Sequence, residues 1–428
     1  MTTETVPTRG LWLKQAGDSV PGQRDLHGGI VAAIVAAVAE LKGEPAADRL
    51  RGEGLEALHH VLGPLDLGPV RDRVLEGLRN RMLAFAVEVG RTVLGWDGEF
   101  YVDDYLILRL NIPYEVARKA DPSGENPGIG RISPWMRETA AARRVKDPLY
   151  DPKGYHKGHP PAAWAHGPHL DSWAGHSRDG LNIWWAMCDV PAEASMVLYP
   201  ELADRTLPCD RRTLYLGQDY PLPAPTFVPL APGEMLVFDP EILHGTHLNV
   251  TDRTRVAVSM RLNASKPTFD PDCFYAREFW RTASDIEAQR FDWVLHLKRE
   301  EHLGAPAPAP VEARPYPGTP AVVPATVADG TARVARAAPL ADGERFVAAL
   351  PDRRLIVART GDRLSAVDAA CPHYGVDLAF GGQVADKIYC PACAVAFDLH
   401  DGTSRSESLS LARYRTWEEG GAILIDLS

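Results

Sequence analysis

Up to about residue 96, apolar positions recur at three- and four-residue steps, most regularly over 30–42 and 70–93, and this period predicts helices. At Glu99 the pattern changes to alternation. Residues 101–111 read as a strand with Tyr105, Ile107 and Arg109 on one face. Over 112–166 Pro, Gly and charge interrupt any period, and 121–130 (Asp-Pro-Ser-Gly-Glu-Asn-Pro-Gly-Ile-Gly) predict an irregular loop. A strand over 181–187 puts Asn182, Trp184 and Ala186 on one side and Ile183, Trp185 and Met187 on the other, so one tryptophan is core and the other can wall a cavity. Further strands are expected at 197–200, 233–238 and 254–261. In the last, Val256, Val258 and Met260 share one face and Arg255, Ala257, Ser259 and Arg261 the other. Two arginines among small residues suit a cavity wall better than an apolar core. Residues 276–302 read as helical. Seven prolines within 304–325, including Ala-Pro-Ala-Pro-Ala-Pro, predict an extended, semi-rigid linker. The expected plan is therefore a helical flank (1–98), a catalytic core closed by a helix (99–303), the linker (304–325) and a small separate unit (326–428).

Composition narrows the class. A chain of 428 residues, 45% hydrophobic, exceeds one ordinary domain. A net charge of −11 argues against nucleic acid or an anionic membrane as partner. Residues 1–14 lack the apolar centre of a signal peptide, and the run 30–39 is far short of the ~20 residues that span a bilayer. A soluble cytoplasmic protein is expected, with a homodimer one open option. Six cysteines in a chain of this size do not suggest a disulfide scaffold. Cys188, Cys209 and Cys273 are isolated and read as ordinary small apolar residues.

The chemistry begins at 167–171, Gly-Pro-His-Leu-Asp. On an extended strand His169 and Asp171 share a face and offer an imidazole and a carboxylate to a divalent metal. His244, in Phe-Asp-Pro-Glu-Ile-Leu-His-Gly-Thr (238–246), completes a facial triad that leaves coordination positions open. His247 is the nearest rival. His156, His159, His166 and His176 read as loop or entrance residues. His59 and His60 are adjacent, about 100° apart on a helix, and cannot chelate together.

This order, with Arg255 eleven residues past His244, resembles the iron(II)/2-oxoglutarate-dependent oxygenases over about residues 100–263, most closely their phytanoyl-CoA dioxygenase branch. The resemblance implies a mainly β fold with helical flanks, built on a double-stranded β-helix (a jelly-roll, cupin-like barrel). It implies Fe(II) at His169, Asp171 and His244. It also implies 2-oxoglutarate as cosubstrate, its far carboxylate on Arg255 with help from Thr246, and Arg261 the alternative anchor. The partners would be O2 and a small-molecule substrate, with Arg109 and Trp184 as pocket candidates; a paired structural role for Arg109 stays open. In this family 2-oxoglutarate is decarboxylated to succinate while an unactivated C–H bond is oxidised. Halogenating relatives lack the metal carboxylate. The presence of Asp171 therefore favours hydroxylation, desaturation or ring closure.

The final unit carries Cys371-Pro-His373-Tyr-Gly and then, after sixteen residues beyond His373, Cys390-Pro-Ala-Cys393. Two close ligand pairs on tight loops are how proteins wrap a metal or cluster. The framing resembles a Rieske ferredoxin domain, with one departure: Cys393 stands where that family has its second histidine. A 2Fe-2S cluster on three thiolates and one imidazole would have a lower potential than a Rieske centre. The alternatives are zinc in a closed Cys3His site, a rubredoxin-like mononuclear iron, or an empty remnant. Since substrate and 2-oxoglutarate supply all four electrons that O2 needs, this domain either restores Fe(II) or serves as an interaction or stability module, and deleting 304–428 should spare a single turnover. Two rival readings remain: an NADH-driven Rieske-type oxygenase, in which the domain order is reversed and the metal histidines lie close in sequence rather than 75 apart, and a non-catalytic metal-binding jelly roll. The fusion in an Ala/Arg/Pro-rich chain suggests bacterial specialised metabolism and an amino-acid-like substrate, cyclopropanation of a nitro amino acid among the reactions.

Overall fold

The computed structural model describes residues 10–63, 66–104, 106–120, 165–174, 176–210, 215–217, 219–268, 279–291, 295–296, 318, 320–336, 338–373 and 375–428. The expectations for Tyr105, for the loop at 121–130, for His156, His159 and Cys273, and for most of the linker fall outside these residues.

Three helices precede the barrel: α1 (Gln23–Lys42), α2 (Glu44–Glu53) and α3 (Leu67–Thr92). The barrel strands are β1 (Trp12–Gln15), β2 (Tyr101–Asp103), β3 (Ile107–Asn111), β4 (Gly180–Ala186), β5 (Met196–Leu198), β6 (Cys209–Asp210), β7 (Tyr215–Leu216), β8 (Thr226–Val228), β9 (Met235–Phe238), β10 (His244–Thr246), β11 (Arg255–Asn263), β12 (Phe279–Thr282) and β13 (Leu295–His296). The larger sheet runs β1-β9-β4-β11-β2-β12-β13, with β3 also on β11; the smaller is β10-β5-β8. Their facing sides share one apolar core, in which Trp184, Ala186, Leu236, Phe238 and Ala257 of the large sheet meet Met196, Leu198 and Val228 of the small one. The outer side of the large sheet (Ile183, Trp185, Met187, Val256, Val258, Met260) packs with the helices. The two tryptophans fall on opposite faces, as alternation requires, and the packing shows which is which. Trp185 stacks on Phe85 at 4.5 Å and donates its Nε1–H to the Gly233 carbonyl at 2.9 Å, while Trp184 faces the barrel interior. By analogy with core truncations, removing the Trp185 ring would cost about 3–5 kcal/mol.

Two elements differ from the sequence reading. The strand expected over 101–111 breaks into β2 and β3 because Asp103 and Asp104 are both buried between them and must find cations. Asp103 lies 3.7 Å from Arg261, and Asp104 pairs with Arg79 of α3 (2.5 Å) and Arg281 (3.2 Å). The helix expected over 276–302 is instead β12, a short helix α4 (Ala283–Glu287) and β13 in its described part. Pairing of Trp280 with Asp103 extends the sheet, buries the indole and outweighs local helix propensity.

The C-terminal domain holds a five-stranded sheet (Val322–Pro324, Arg345–Ala349, Arg354–Thr360, Arg363–Asp368, Arg413–Tyr414), a four-stranded one (Thr326–Ala328, Thr331–Ala335, Ala422–Asp426, Thr416–Glu419) and a small three-stranded one (Gln383–Val384, Lys387–Tyr389, Ala396–Asp398). It is docked on the barrel. Tyr114, Tyr215, Leu248 and Val250 of the barrel share an apolar core with Cys371, Cys390, Cys393, Val395 and Phe397. Leu222 N–H donates to the Phe380 carbonyl at 2.8 Å. Gly382 passes so close to the barrel that a Cβ there would lie 2.4 Å from the Pro223 carbonyl oxygen. Arg405 pairs with Glu193 at 2.5 Å, and Glu115 accepts from Ser406 Oγ (2.5 Å), Ser408 N (3.0 Å) and Ser408 Oγ (2.6 Å).

Burial alone would raise the Glu115 carboxyl, but the two serines outweigh it and hold the group below its ordinary value. A depressed carboxylate stabilises the docked state above its unfolded pKa and loses that contribution as pH falls through the folded value. Glu115→Ala should therefore lower the melting temperature and speed proteolysis at the junction at pH 7. That difference from the parent chain should fade as pH drops below the ordinary glutamate range and through the lowered folded value.

Candidate metal centres

A pair of reciprocal backbone bonds places the first centre. His169 N–H donates to the His244 carbonyl at 2.8 Å and His244 N–H to that of His169 at 3.1 Å, bringing the two rings to 4.5 Å. Asp171 is not on an extended strand, as the sequence suggested. It opens one helical turn (Asp171–Ala174) with its N–H on the Pro240 carbonyl at 3.1 Å. The turn still delivers the carboxylate. Asp171 Oδ1 lies 3.5 Å from His169 Nε2 and 3.8 Å from His244 Nε2, and one ligand atom from each of the three residues falls within 4.8 Å of the others.

The surroundings fix the protonation that a metal requires. Nδ1 of His169 bonds the Gly167 carbonyl (2.7 Å) and Nδ1 of His244 that of Ile242 (2.8 Å). A carbonyl can only accept, so both Nδ1 atoms carry the proton and both Nε2 lone pairs point at the shared space. Burial, with the neighbouring His169 ring, lowers His244 to about 3 and keeps it neutral. Burial would raise the Asp171 carboxyl, but Arg261 and the surrounding imidazoles hold it well below the usual range. Its Oδ2 accepts from Asn182 Nδ2 at 2.8 Å and faces Arg261 at 3.4 Å, leaving Oδ1 toward the histidines. Two neutral imidazoles and one anionic oxygen, all buried and oriented, fit a divalent cation with open positions. Gly245 is required beside them, since a Cβ there would sit 2.6 Å from the His166 carbonyl oxygen.

The other histidines fall elsewhere. His247 turns its Nδ1 to the Leu248 carbonyl (2.5 Å) and is outside the ligand group, as is His176. His166 stands at the edge of the site, its ring 6.0 Å from that of His169. It contacts Arg109 Nη1 (3.3 Å) and Tyr215 OH (3.5 Å), and its N–H donates to Thr246 Oγ1 at 2.7 Å. Arg109 also bonds Ser259 Oγ at 2.9 Å.

Of the two arginines on the inner face of β11, Arg261 is committed to Asp171 and Asp103. Arg255 is not. It is 2% exposed, donates Nη1 to the Ala194 carbonyl (2.8 Å), and buries its Nε with no acceptor; among the described residues no carboxylate pairs with it. Burial, reinforced by the charge of Arg109, pushes it down to about 9. Its guanidinium lies 5.6 Å from the Trp184 ring centre, and Trp184 shares the barrel core with Phe238, whose ring meets that of His244 at 4.9 Å. The guanidinium is a buried cation suited to an external anion.

The second centre brings Cys371, Cys390 and Cys393 together, their sulfurs within 4.8 Å of one another and all buried. His373 is buried on the same loop, edge-on to Tyr114 at 5.1 Å, and is not within that thiol group. The 390–393 loop is a tight knuckle: Ala394 N–H returns to the Cys390 carbonyl (3.0 Å), Ala392 N–H points at Cys390 Sγ (3.4 Å), and Ala394 takes a left-handed φ of 60°. Burial raises the thiols of Cys390 and Cys393, while bonds from those two lower Cys371. Three ionised thiols cannot coexist here without a cation, which is the chemistry of a metal or cluster site.

Residues 131–257 match the family model described as phytanoyl-CoA dioxygenase, and residues 331–412 match that of the Rieske [2Fe-2S] domain. The chain joins a phytanoyl-CoA dioxygenase domain to a Rieske domain. The first match contains His169, Asp171, His244 and Arg255, the second Cys371, His373, Cys390 and Cys393. These families imply Fe(II) and 2-oxoglutarate for one domain and a 2Fe-2S cluster for the other. No curated protein matches the chain. Among solved structures, the ferredoxin of carbazole 1,9a-dioxygenase from Nocardioides aromaticivorans IC177 is 25% identical, with 21% of this chain and 89% of that one covered at a TM-score of 0.20. A Sphingomonas yanoikuyae B1 ferredoxin is 24% identical over 22% and 97%, at 0.21. Among the described residues no helix is long and apolar enough to cross a membrane.

Loss of a residue that orients a metal ligand typically weakens binding about 10- to 100-fold. Asn182→Ala should fall in that range, Asp171→Ala and His244→Ala below detection, and His247→Ala near the parent value. Fe(II) titration read by the electron paramagnetic resonance (EPR) signal of the nitric oxide adduct checks all four.

Proposed function

We propose that this protein is an Fe(II)/2-oxoglutarate-dependent oxygenase that oxidises an unactivated C–H bond of a small, amino-acid-like metabolite, with residues 99–303 as its catalytic unit and 326–428 as a cluster-bearing domain. The observation that carries the reading is the buried, carboxylate-free guanidinium of Arg255 inside a barrel whose mouth holds the His169–Asp171–His244 triad. Iron bound at the triad would supply activation of O2 and oxidation of the C–H bond. The chain's own residues do the rest. Arg255 holds the far carboxylate of 2-oxoglutarate against Trp184 by a two-point pair that a lysine cannot copy. Asn182 and Arg261 keep Asp171 on one oxygen toward the metal, so the remaining positions stay open. Thr246, already accepting from His166, retains its O–H to donate toward the cosubstrate. Arg109, His166 and Tyr215 form a polar wall beside the triad that suits an acidic end of the substrate. The anionic Asp171 supports hydroxylation, desaturation or ring closure, cyclopropanation included.

Incubation with 2-oxoglutarate, Fe(II), O2 and a panel of amino-acid metabolites should give succinate and one oxidised product, read by mass spectrometry, without NADH. Turnover that needs NADH and ignores 2-oxoglutarate would instead establish the Rieske-type alternative. Arg255→Lys should raise the KM for 2-oxoglutarate by about tenfold or more, a loss on the order of 1.5–3 kcal/mol of charge-assisted bonding. Arg261→Lys should act on iron affinity first. Anaerobically reconstituted protein should show iron–sulfur absorbance that Cys390→Ser removes.

A further inference from the structure

We propose that the electron acceptor of the C-terminal domain is the metal triad of its own chain, reached through the Cys393–Leu248 contact and the Tyr199 side chain. This rests on the cofactors assigned above and goes beyond them: 2-oxoglutarate chemistry calls for no second metal centre, and neither domain's family settles where this one delivers its electron.

Two connections link the centres. The Cys393 carbonyl accepts from Leu248 N–H at 3.0 Å. Leu248 lies four residues beyond His244, a stretch that spans at most about 13 Å even fully extended. Tyr199 supplies the second. Its N–H donates to the carbonyl of Leu243, the residue before His244, at 2.9 Å. Its fully buried side chain packs with Leu243 and with Ala394, the residue after Cys393, in one cluster. Both connections thus run through buried side chain or hydrogen-bonded backbone.

Access points the same way. Cys371, His373, Cys390 and Cys393 are at most 3% exposed, and His373 lies edge-on to Tyr114 of the barrel. The ligand loops are turned toward the barrel rather than toward solvent. The docking is also pinned away from the ligands, by Glu115 on Ser406 and Ser408, by Arg405 on Glu193 and by Leu222 on Phe380. That fixes one separation between the centres.

The step is a single electron with no bond made or broken. The reduced cluster becomes oxidised and ferric iron at the triad becomes ferrous. The electron comes from an external one-electron donor of the reduced-ferredoxin or flavoprotein class. The function is repair: oxygen activation without substrate leaves iron ferric, and one electron returns it to service.

The test uses the full chain, loaded at both centres, with its triad iron oxidised to the ferric state. The cluster is reduced anaerobically by one equivalent of photoreduced flavin, and both EPR signals are followed. The expected result is equal loss of the ferric and reduced-cluster signals at a rate independent of protein concentration. Tyr199→Leu, with both signals intact at the start, should slow that rate by about tenfold, equivalent to ~1.4 kcal/mol of barrier. A ferric signal that persists beside a reduced cluster overturns the proposal. So does equal speed in a mixture of Cys390→Ser chains with His244→Ala chains, because transfer would then be between molecules. Protein that takes up zinc and shows no cluster signal overturns the proposal together with the cofactor reading. Fast internal transfer in a protein indifferent to 2-oxoglutarate would overturn the oxygenase reading and leave the route standing.

Discussion

Everything at the first centre depends on two backbone hydrogen bonds. The reciprocal pair between His169 and His244 joins segments 75 residues apart in the chain, and the side-chain geometry follows from it. Once the two main chains are locked, each imidazole is turned by its own local carbonyl, Gly167 for one and Ile242 for the other. The carboxylate then needs only a short turn anchored on Pro240 to reach the space between them. The neighbouring glycine belongs to the same constraint, because the chain at His166 must come within contact of residue 245 for the bridge to close. A site assembled this way holds its lone pairs in place before any cation arrives, which lowers the reorganisation that binding requires.

Much of this was legible in the residues. Alternation along β11 separated the arginine face from the apolar face, and the same period put the two tryptophans of β4 on opposite sides without saying which was core. The His169–Asp171 pair and the cysteine knuckle could be named because short ligand spacings are local properties of a chain, whereas His244, 75 residues beyond His169, has no such local link to them. What escaped was non-local. The resemblance put Arg255 ahead of Arg261, but that Asp103 and Asp171 already neutralise Arg261 has no sequence signature. The turn at Asp171 was missed because its anchor is the distant Pro240. The stretch 276–302 reads as a helix in isolation, and sheet pairing with β2 overrides that preference.

The domain arrangement was equally hidden. A proline-rich connection suggested a tethered, independent unit, whereas the two bodies share an apolar core and close hydrogen bonds. Cutting the chain at residue 304 would uncover Tyr114, Leu248 and Val250 and leave Glu115 without its serines, so such a truncation tests the fold as much as the chemistry. Cys393, where the Rieske family has a histidine, bears on the proposed electron route. A thiolate adds negative charge and lowers the potential of a cluster, which makes a more forceful donor.

The buried pair of aspartates in the break between β2 and β3 reaches further than its own loop. Arg79 of α3 neutralises Asp104; Asp103, next in the chain, faces Arg261, and Arg261 faces the metal carboxylate. Two ion-pair clusters, Arg79 and Arg281 on Asp104 and Arg261 on Asp103 and Asp171, therefore adjoin through neighbouring aspartates in the wall of the barrel. Removing one member of a buried pair of this kind typically costs about 3–5 kcal/mol. The helices ahead of the barrel thus help balance the buried charge behind the triad, and exchanging them for an unrelated helical cap would leave Asp104 to Arg281 alone.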